Sequence, residues 1–176
     1  MDVNSATRSR LELSFVVQDG DLEKLRKLLC DENVEVRDGA GCTPFTYAAA
    51  CGQLEILLEL YQRGANVNVQ DYCGRTALML AMDHGQYPIV VELCRLGADL
   101  ELQDKHHQTA LVRAARRDQY AMLKEICKHG AKVPLPLYTS SSEIKALLAK
   151  QQFRHNVLVL VDHIQIELLR HVHSWI

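Results

Sequence analysis

Residues Asp38–Gln70 read DGAGCTPFTYAAACGQLEILLELYQRGANVNVQ, and a step of 33 residues along the chain nearly repeats them. Asp71–Gln103 reads DYCGRTALMLAMDHGQYPIVVELCRLGADLELQ, and Asp104–Pro136 reads DKHHQTALVRAARRDQYAMLKEICKHGAKVPLP. Asp38, Asp71 and Asp104 coincide, as do Thr43, Thr76 and Thr109, and so do Gly64-Ala65, Gly97-Ala98 and Gly130-Ala131. In the first of these units Thr43 stands where an N-cap belongs, Pro44 follows at the first helical position, and Ala48-Ala49-Ala50 continues in strong helix formers. Gly52 breaks that helix. A second helix is predicted over Leu54–Arg63, closed by Gly64, whose backbone adopts a left-handed C-cap without a Cβ penalty. Helices this short do not persist alone, because nucleation is repaid only over about 12 to 15 residues. Stacked copies bury their apolar faces on one another, so the fold rests on the number of units.

A 33-residue period with one turn and two short helices per unit resembles the ankyrin repeat. The resemblance covers units 38–70, 71–103 and 104–136, with a degenerate unit, 11–37, as an N-terminal cap. It implies an all-α solenoid of stacked helix-turn-helix units, here with a longer C-terminal helix. The family usually carries a histidine in a Thr-Pro-Leu-His stretch, where this chain has Thr46, Met79 and Val112. The hydrogen bonds that histidine makes between turns are therefore not expected.

The ends depart from the period. Residues 1–10 are expected to be a flexible N-terminus. The capping unit should place helices near Leu11–Gln18 and over Leu22–Cys30, with Leu22, Leu25, Leu28 and Leu29 inward; terminal units are atypical because one face meets solvent. After Pro136, region 137–176 opens with Ser140 three residues before Glu143, a capping-box signature for a short helix ending near Gln152. Ile144, Leu147 and Leu148 should close the stack. Val157, Leu160, Val161, Ile164, Leu168, Val172 and Trp175 then lie at helical spacing, predicting an apolar helix near Asn156–Ser174. Val157–Val161 is also strand-like in composition, and an extended segment there is the alternative. Self-association through 156–176 is one use for so apolar a helix.

The net charge of −2 with both signs mixed gives no reason to expect a nucleic-acid or membrane partner. No apolar run approaches the length of a membrane span, and MDVNSATRSR lacks the apolar core of a signal peptide. Cys94 and Cys127 share a repeat position with Tyr61, and repeat-phased cysteines in a helical stack read as buried thiols. With Cys30, Cys42, Cys51 and Cys73 also unpaired, the expected compartment is reducing, cytoplasmic and/or nuclear.

Little in the chain suggests chemistry. The glycines stand at repeat-phased turns and caps, with no phosphate-binding loop among them. His106-His107 with Cys73 or Cys127 has no paired-ligand spacing, so no metal is expected. His155, His163, His171 and His173 read as surface residues of the C-terminal helix. No nucleophile signature is present, and neither an enzyme nor a cofactor is expected.

The third full unit differs from its neighbours. His107 replaces the turn glycine (Gly41, Gly74) and Asp118 the interhelical glycine (Gly52, Gly85), each at a strain of about 1 kcal/mol if the left-handed backbone is kept. Arg113, Arg116 and Arg117 put three charges on a helix that is nearly all apolar or small in the two units before it. Two readings stand: drift with snorkelling side chains, or a basic patch joined by Lys105, His106 and His107.

The resemblance to ankyrin repeats implies a non-enzymatic protein-interaction module, an adaptor or scaffold, that binds a partner protein through a concave face of turn tips and first helices. By phase that face takes Cys42, Ala50 and Cys51 from one unit and Tyr72, Cys73, Arg75, Asp83 and His84 from the next. Lys105, His106, Gln108, Arg116 and Arg117 complete it. Tyr72 is the expected anchor, because aromatic and Arg residues dominate interface energetics. The alternative is a small inhibitory ankyrin protein that blocks a kinase or transcription factor.

Overall fold

The computed structural model of the chain describes residues 13–29, 34–133 and 142–152. Helices α1 (13–19) and α2 (Leu22–Leu28) form the capping unit. Three pairs follow: α3 (Pro44–Cys51) with α4 (Leu54–Gln62), α5 (Ala77–Asp83) with α6 (Tyr87–Arg95), and α7 (Ala110–Arg116) with α8 (Tyr120–Lys128). A further helix, α9, spans 142–152. The first helices α3, α5 and α7 pack on one another in one layer, and second helices pack in the other, α2 on α4 and α6 on α8. Among the described residues the only β pairing is an isolated bridge between Gln70 and Thr76. The all-α stacked architecture expected from the period is the one observed.

The three threonines start their helices as the sequence predicts. The hydroxyls of Thr43, Thr76 and Thr109 accept the backbone N–H groups of Thr46, Met79 and Val112 at 3.4, 3.3 and 3.4 Å. In the first unit the cap is reciprocal, since Thr46 Oγ1 accepts from Thr43 N–H at 2.8 Å. Thr46, in the family's histidine position, thus spends its hydroxyl on its own helix end and reaches no neighbouring turn.

Packing divides labour between the layers. Ala48, Ala49, Ala77, Ala81, Ala110, Ala114 and Ala115 are all buried in the first helices, where small side chains let successive units approach closely. The second helices supply bulk in repeat-phased columns, Ile56-Ile89-Met122, Leu57-Val90-Leu123 and Leu60-Leu93-Ile126, all buried. Each such side chain contributes about 1.5 to 3 kcal/mol by leaving water. Phe45, Leu78 and Leu111 form a matching column from the first helices.

The ends behave as caps. In α2 only Leu25 is buried, and the helix stops at Leu28, short of Cys30, with Leu29 already extended. In α9, Ile144 and Leu148 are buried and Leu147 packs beside them. Gln151 Nε2 donates to the carbonyl of Cys127 at 2.9 Å, tying α9 to the end of α8. The Ser140 capping box, the helix near Asn156–Ser174 and its extended alternative lie outside the described residues.

Candidate protein-interaction face

The face is built on three aspartates. Asp38 Oδ1 accepts the N–H groups of Ala40 and Cys42 at 2.9 and 2.8 Å. Asp71 Oδ1 takes those of Cys73 and Arg75, both at 2.8 Å, and Asp104 Oδ1 those of His106 and Gln108 at 2.8 and 2.9 Å. One carboxylate oxygen therefore folds each turn tip, with the local side-chain-to-backbone bonding that suits Asp to turns. The second oxygen needs its own partner. It receives the Tyr47 hydroxyl on Asp38 at 2.6 Å, Arg75 on Asp71 at 2.7 Å, and Arg113 on Asp104 at 2.5 Å.

Tyr47, Leu80 and Arg113 share one repeat position. Leu80 has nothing to donate, and in that unit alone Arg75 does the work from inside the turn. Burial pushes the carboxyls of Asp38 and Asp104 up, but their donors outweigh it, and both end below the ordinary carboxylate range. For Asp38 the donors are the Tyr47 hydroxyl and turn N–H groups; for Asp104 they are the turn N–H groups and Arg113. The Tyr47 hydroxyl, bonded to Asp38, is raised well above the ordinary phenol range.

The tips are tied to one another at fixed offsets. The N–H of Tyr72 donates to Ala40 O and that of Lys105 to Cys73 O, both at 2.9 Å. Arg37 Nη1 reaches Gln70 O at 2.7 Å, and Gln70 Nε2 reaches Gln103 O at 2.9 Å. At the other end of the first helices Gln53, Gln86 and Gln119 donate back to Gln18, Ala50 and Met82 carbonyls, at 3.3, 3.4 and 2.7 Å. The loops after the second helices repeat the device. Glu35, Asn68 and Glu101 side chains accept from the N–H groups of Asn66, Asp99 and Lys132, at 2.6, 2.8 and 2.8 Å. Side chains presented by these tips thus sit on a frame with little freedom.

On that frame Tyr72, 56 % exposed, is the largest apolar group of the tips. A Cβ on Gly41 would come within 2.6 Å of its ring, so the ring lies directly on the Gly41 backbone, whose φ of +81° itself favours glycine. The ring is thus supported on one side by backbone. Lys105, His106, His107 and Arg116 are exposed, as are Cys51, Cys73 and His84, while Cys42, Ala50 and Gln108 are half-buried. Arg75 and Asp83 are already engaged within the chain: Arg75 holds Asp71, and Asp83 holds Arg113 and Arg117.

The three arginines of the third unit are not one patch. Arg113 is 14 % exposed and closed between Asp83 and Asp104, a structural ion pair that neither snorkelling nor a basic patch describes. Arg117 rests on Asp83, and Arg116 makes no ion pair among the described residues. Gln108, Arg113, Arg116 and Arg117 line a cavity of about 340 Å³. The role of Arg113 was readable in principle, since its repeat position lies nine residues after the turn aspartate, where Tyr47 also stands.

Burial disfavours the thiolate at four of the cysteines. It raises the thiols of Cys42, Cys51 and Cys127, and burial with the Glu125 charge pushes Cys94 up to about 11. Cys42, Cys51, Cys73, Cys94 and Cys127 are all free. Among the described residues no three His, Cys, Asp or Glu side chains gather as metal ligands would, and no helix is long and apolar enough to cross a membrane.

A family model for ankyrin repeats, three copies, matches residues 13–104 and 73–136. This chain belongs to the ankyrin repeat family, whose members are generally protein–protein interaction modules and typically non-enzymatic. A comparison with curated proteins returned no match.

Proposed function

We propose that the chain is a non-enzymatic adaptor or scaffold module that binds a partner protein through its turn tips and first helices. The observation that carries this reading is Tyr72, an exposed aromatic held in place by Gly41 in the middle of a hydrogen-bonded row of tips. A preformed aromatic contributes contact area without paying to be ordered on binding. Cys42, Ala50, Cys51, Cys73, His84, Lys105, His106, Gln108, Arg116 and Arg117 surround it as neighbouring tip and helix positions. Free cysteines support a reducing compartment, cytoplasmic or nuclear. The mildly negative net charge supports a protein partner over nucleic acid.

The test combines Tyr72→Ala with Arg116→Ala and Arg117→Ala. The triple variant should keep its helicity and lose a partner captured by the parent chain. Deleting residues 156–176 is the counterpart. Binding lost on that deletion, with the triple variant still competent and the shortened stack still folded, moves the site to the tail.

A further inference from the structure

Charge on this face changes along the stack. Ala50, Asp83 and Arg116 share one repeat position, Cys51, His84 and Arg117 the next, and Gly39, Tyr72 and Lys105 a third. A chain of net charge −2 therefore carries a local positive excess at its third unit. The cavity of about 340 Å³ lies there. On its lining, Arg113 is neutralised between Asp83 and Asp104 at 2.5 Å from each. Arg117, 46 % exposed, leans on Asp83, which is itself 12 % exposed. Arg116 is exposed and without an ion pair among the described residues. Arg116 is thus the one guanidinium of the lining that the described carboxylates leave without an ion pair.

We infer that this cleft seats a single Asp or Glu side chain from an acidic segment of a partner protein, with Arg116 and the outward edge of Arg117 as donors. The inference rests on the reading of this face as the interaction surface and names the chemistry of what docks there. A guanidinium presents a planar fork that matches a carboxylate, and its always-charged group needs no proton uptake to bind. Arg117 is paired with Asp83 in the free chain, so it serves as a shared donor beside Arg116. The charge match selects the occupant. One carboxylate meets the single unpaired guanidinium of Arg116, whereas a phosphorylated side chain carries about −1.5 to −2 and calls for more than one free guanidinium. A nucleic-acid backbone presents a charge about every 1.7 Å of duplex axis and calls for a run of cations. Here Arg75 of the neighbouring unit is already taken by Asp71, and the neighbouring tip offers Tyr72 instead. That ring suits an apolar residue flanking the acidic one.

A displayed library of random peptides selected against the whole chain tests the assignment. Selected sequences should be enriched in Asp or Glu, and synthetic versions should bind Arg116→Ala/Arg117→Ala about tenfold or more weakly. Changing the critical Glu to Gln in the peptide should cause a similar loss on the parent chain and little more on the variant. Circular dichroism of the variant should match the parent. Peptides without acidic enrichment, or indifferent to both arginines, overturn the carboxylate assignment. If those peptides still weaken on Tyr72→Ala, the interaction face stands without it. Peptides blind to Tyr72, Arg116 and Arg117 alike, or a selection that returns no binder, overturn both. Phosphoserine in place of the critical Glu should give no gain; a tenfold gain overturns the carboxylate in favour of phosphate.

Discussion

Arg113 and Arg116 stand three residues apart on α7 and have opposite fates. Arg113 points into the seam between units, where two aspartates hold it; Arg116 stays in water. Arg113→Ala should therefore lower unfolding stability by about 1 to 3 kcal/mol, because it leaves buried carboxylates short of a donor. Arg116→Ala should stay within about 0.5 kcal/mol. Equal midpoints in urea for the two variants would contradict the seam. Phase alone separates them in the sequence, since Arg113 stands where Tyr47 does, nine residues after the turn aspartate; the second carboxylate that encloses it comes from the neighbouring unit. The aspartates also set the acid limit. Asp38 and Asp104 have native carboxyls below their ordinary range, so their stabilisation is complete above that range and fades as pH falls through the lower native values. Thermal midpoints should hold down to about pH 4 and drop below it, and Asp104→Asn should flatten that drop while lowering stability at neutral pH. His107 offers a third check. Its φ of 57° is left-handed at a position where Gly41 and Gly74 stand in the other units. His107→Gly should raise stability by roughly 0.5 to 1 kcal/mol in a urea melt.

At the scale of the helices, what could be read from the chain is what is local. Thr43, Pro44 and the glycine breaks announce helix starts and stops within a few residues, and α3 to α8 follow them to within about a residue, the ordinary play of a helix end. The ties between units were harder to see. Gln53, Gln86 and Gln119 recur at the right spacing, but the carbonyls they reach lie 35, 36 and 37 residues back, and no local pattern marks such a partner. The candidate face was legible only as phase; that Asp83 and Arg75 are spent internally depends on contacts between side chains. The core column gives the sharpest prediction here. Leu78 is buried between units, so Leu78→Ala should cost about 2 to 5 kcal/mol. An unchanged denaturation midpoint would mean that α5 does not present this face to its neighbours.

For the molecule as a whole, a stack with contacts only between neighbours opens from its ends and seams before it unfolds completely. The cysteines report on this. Cys51 and Cys73 are exposed and Cys42 is half-buried, whereas Cys94 and Cys127 are buried on the second helices. With a thiol reagent at neutral pH, the first three should react within the native state. Cys94 and Cys127 should wait for opening, and their rates should climb with urea in step with the loss of helicity. Fast native labelling of Cys94 would show that α6 and α8 part far more readily than their packing implies.

The fixed offsets of the bonds between units carry a further consequence, for how such a chain can be lengthened. Arg37 to Gln70 and Gln70 to Gln103 span 33 residues, and the loop bonds of Glu35, Asn68 and Glu101 span 31. A second copy of residues 38–70 spliced in after Gln70 would meet every one of those partners in register and leave the Asp83–Arg113 seam untouched. A splice that is not a whole number of 33-residue units would strand them. Tandem copying in whole modules is thus a nearly neutral edit, and one that moves the cationic end farther from the amino-terminal cap while preserving its geometry.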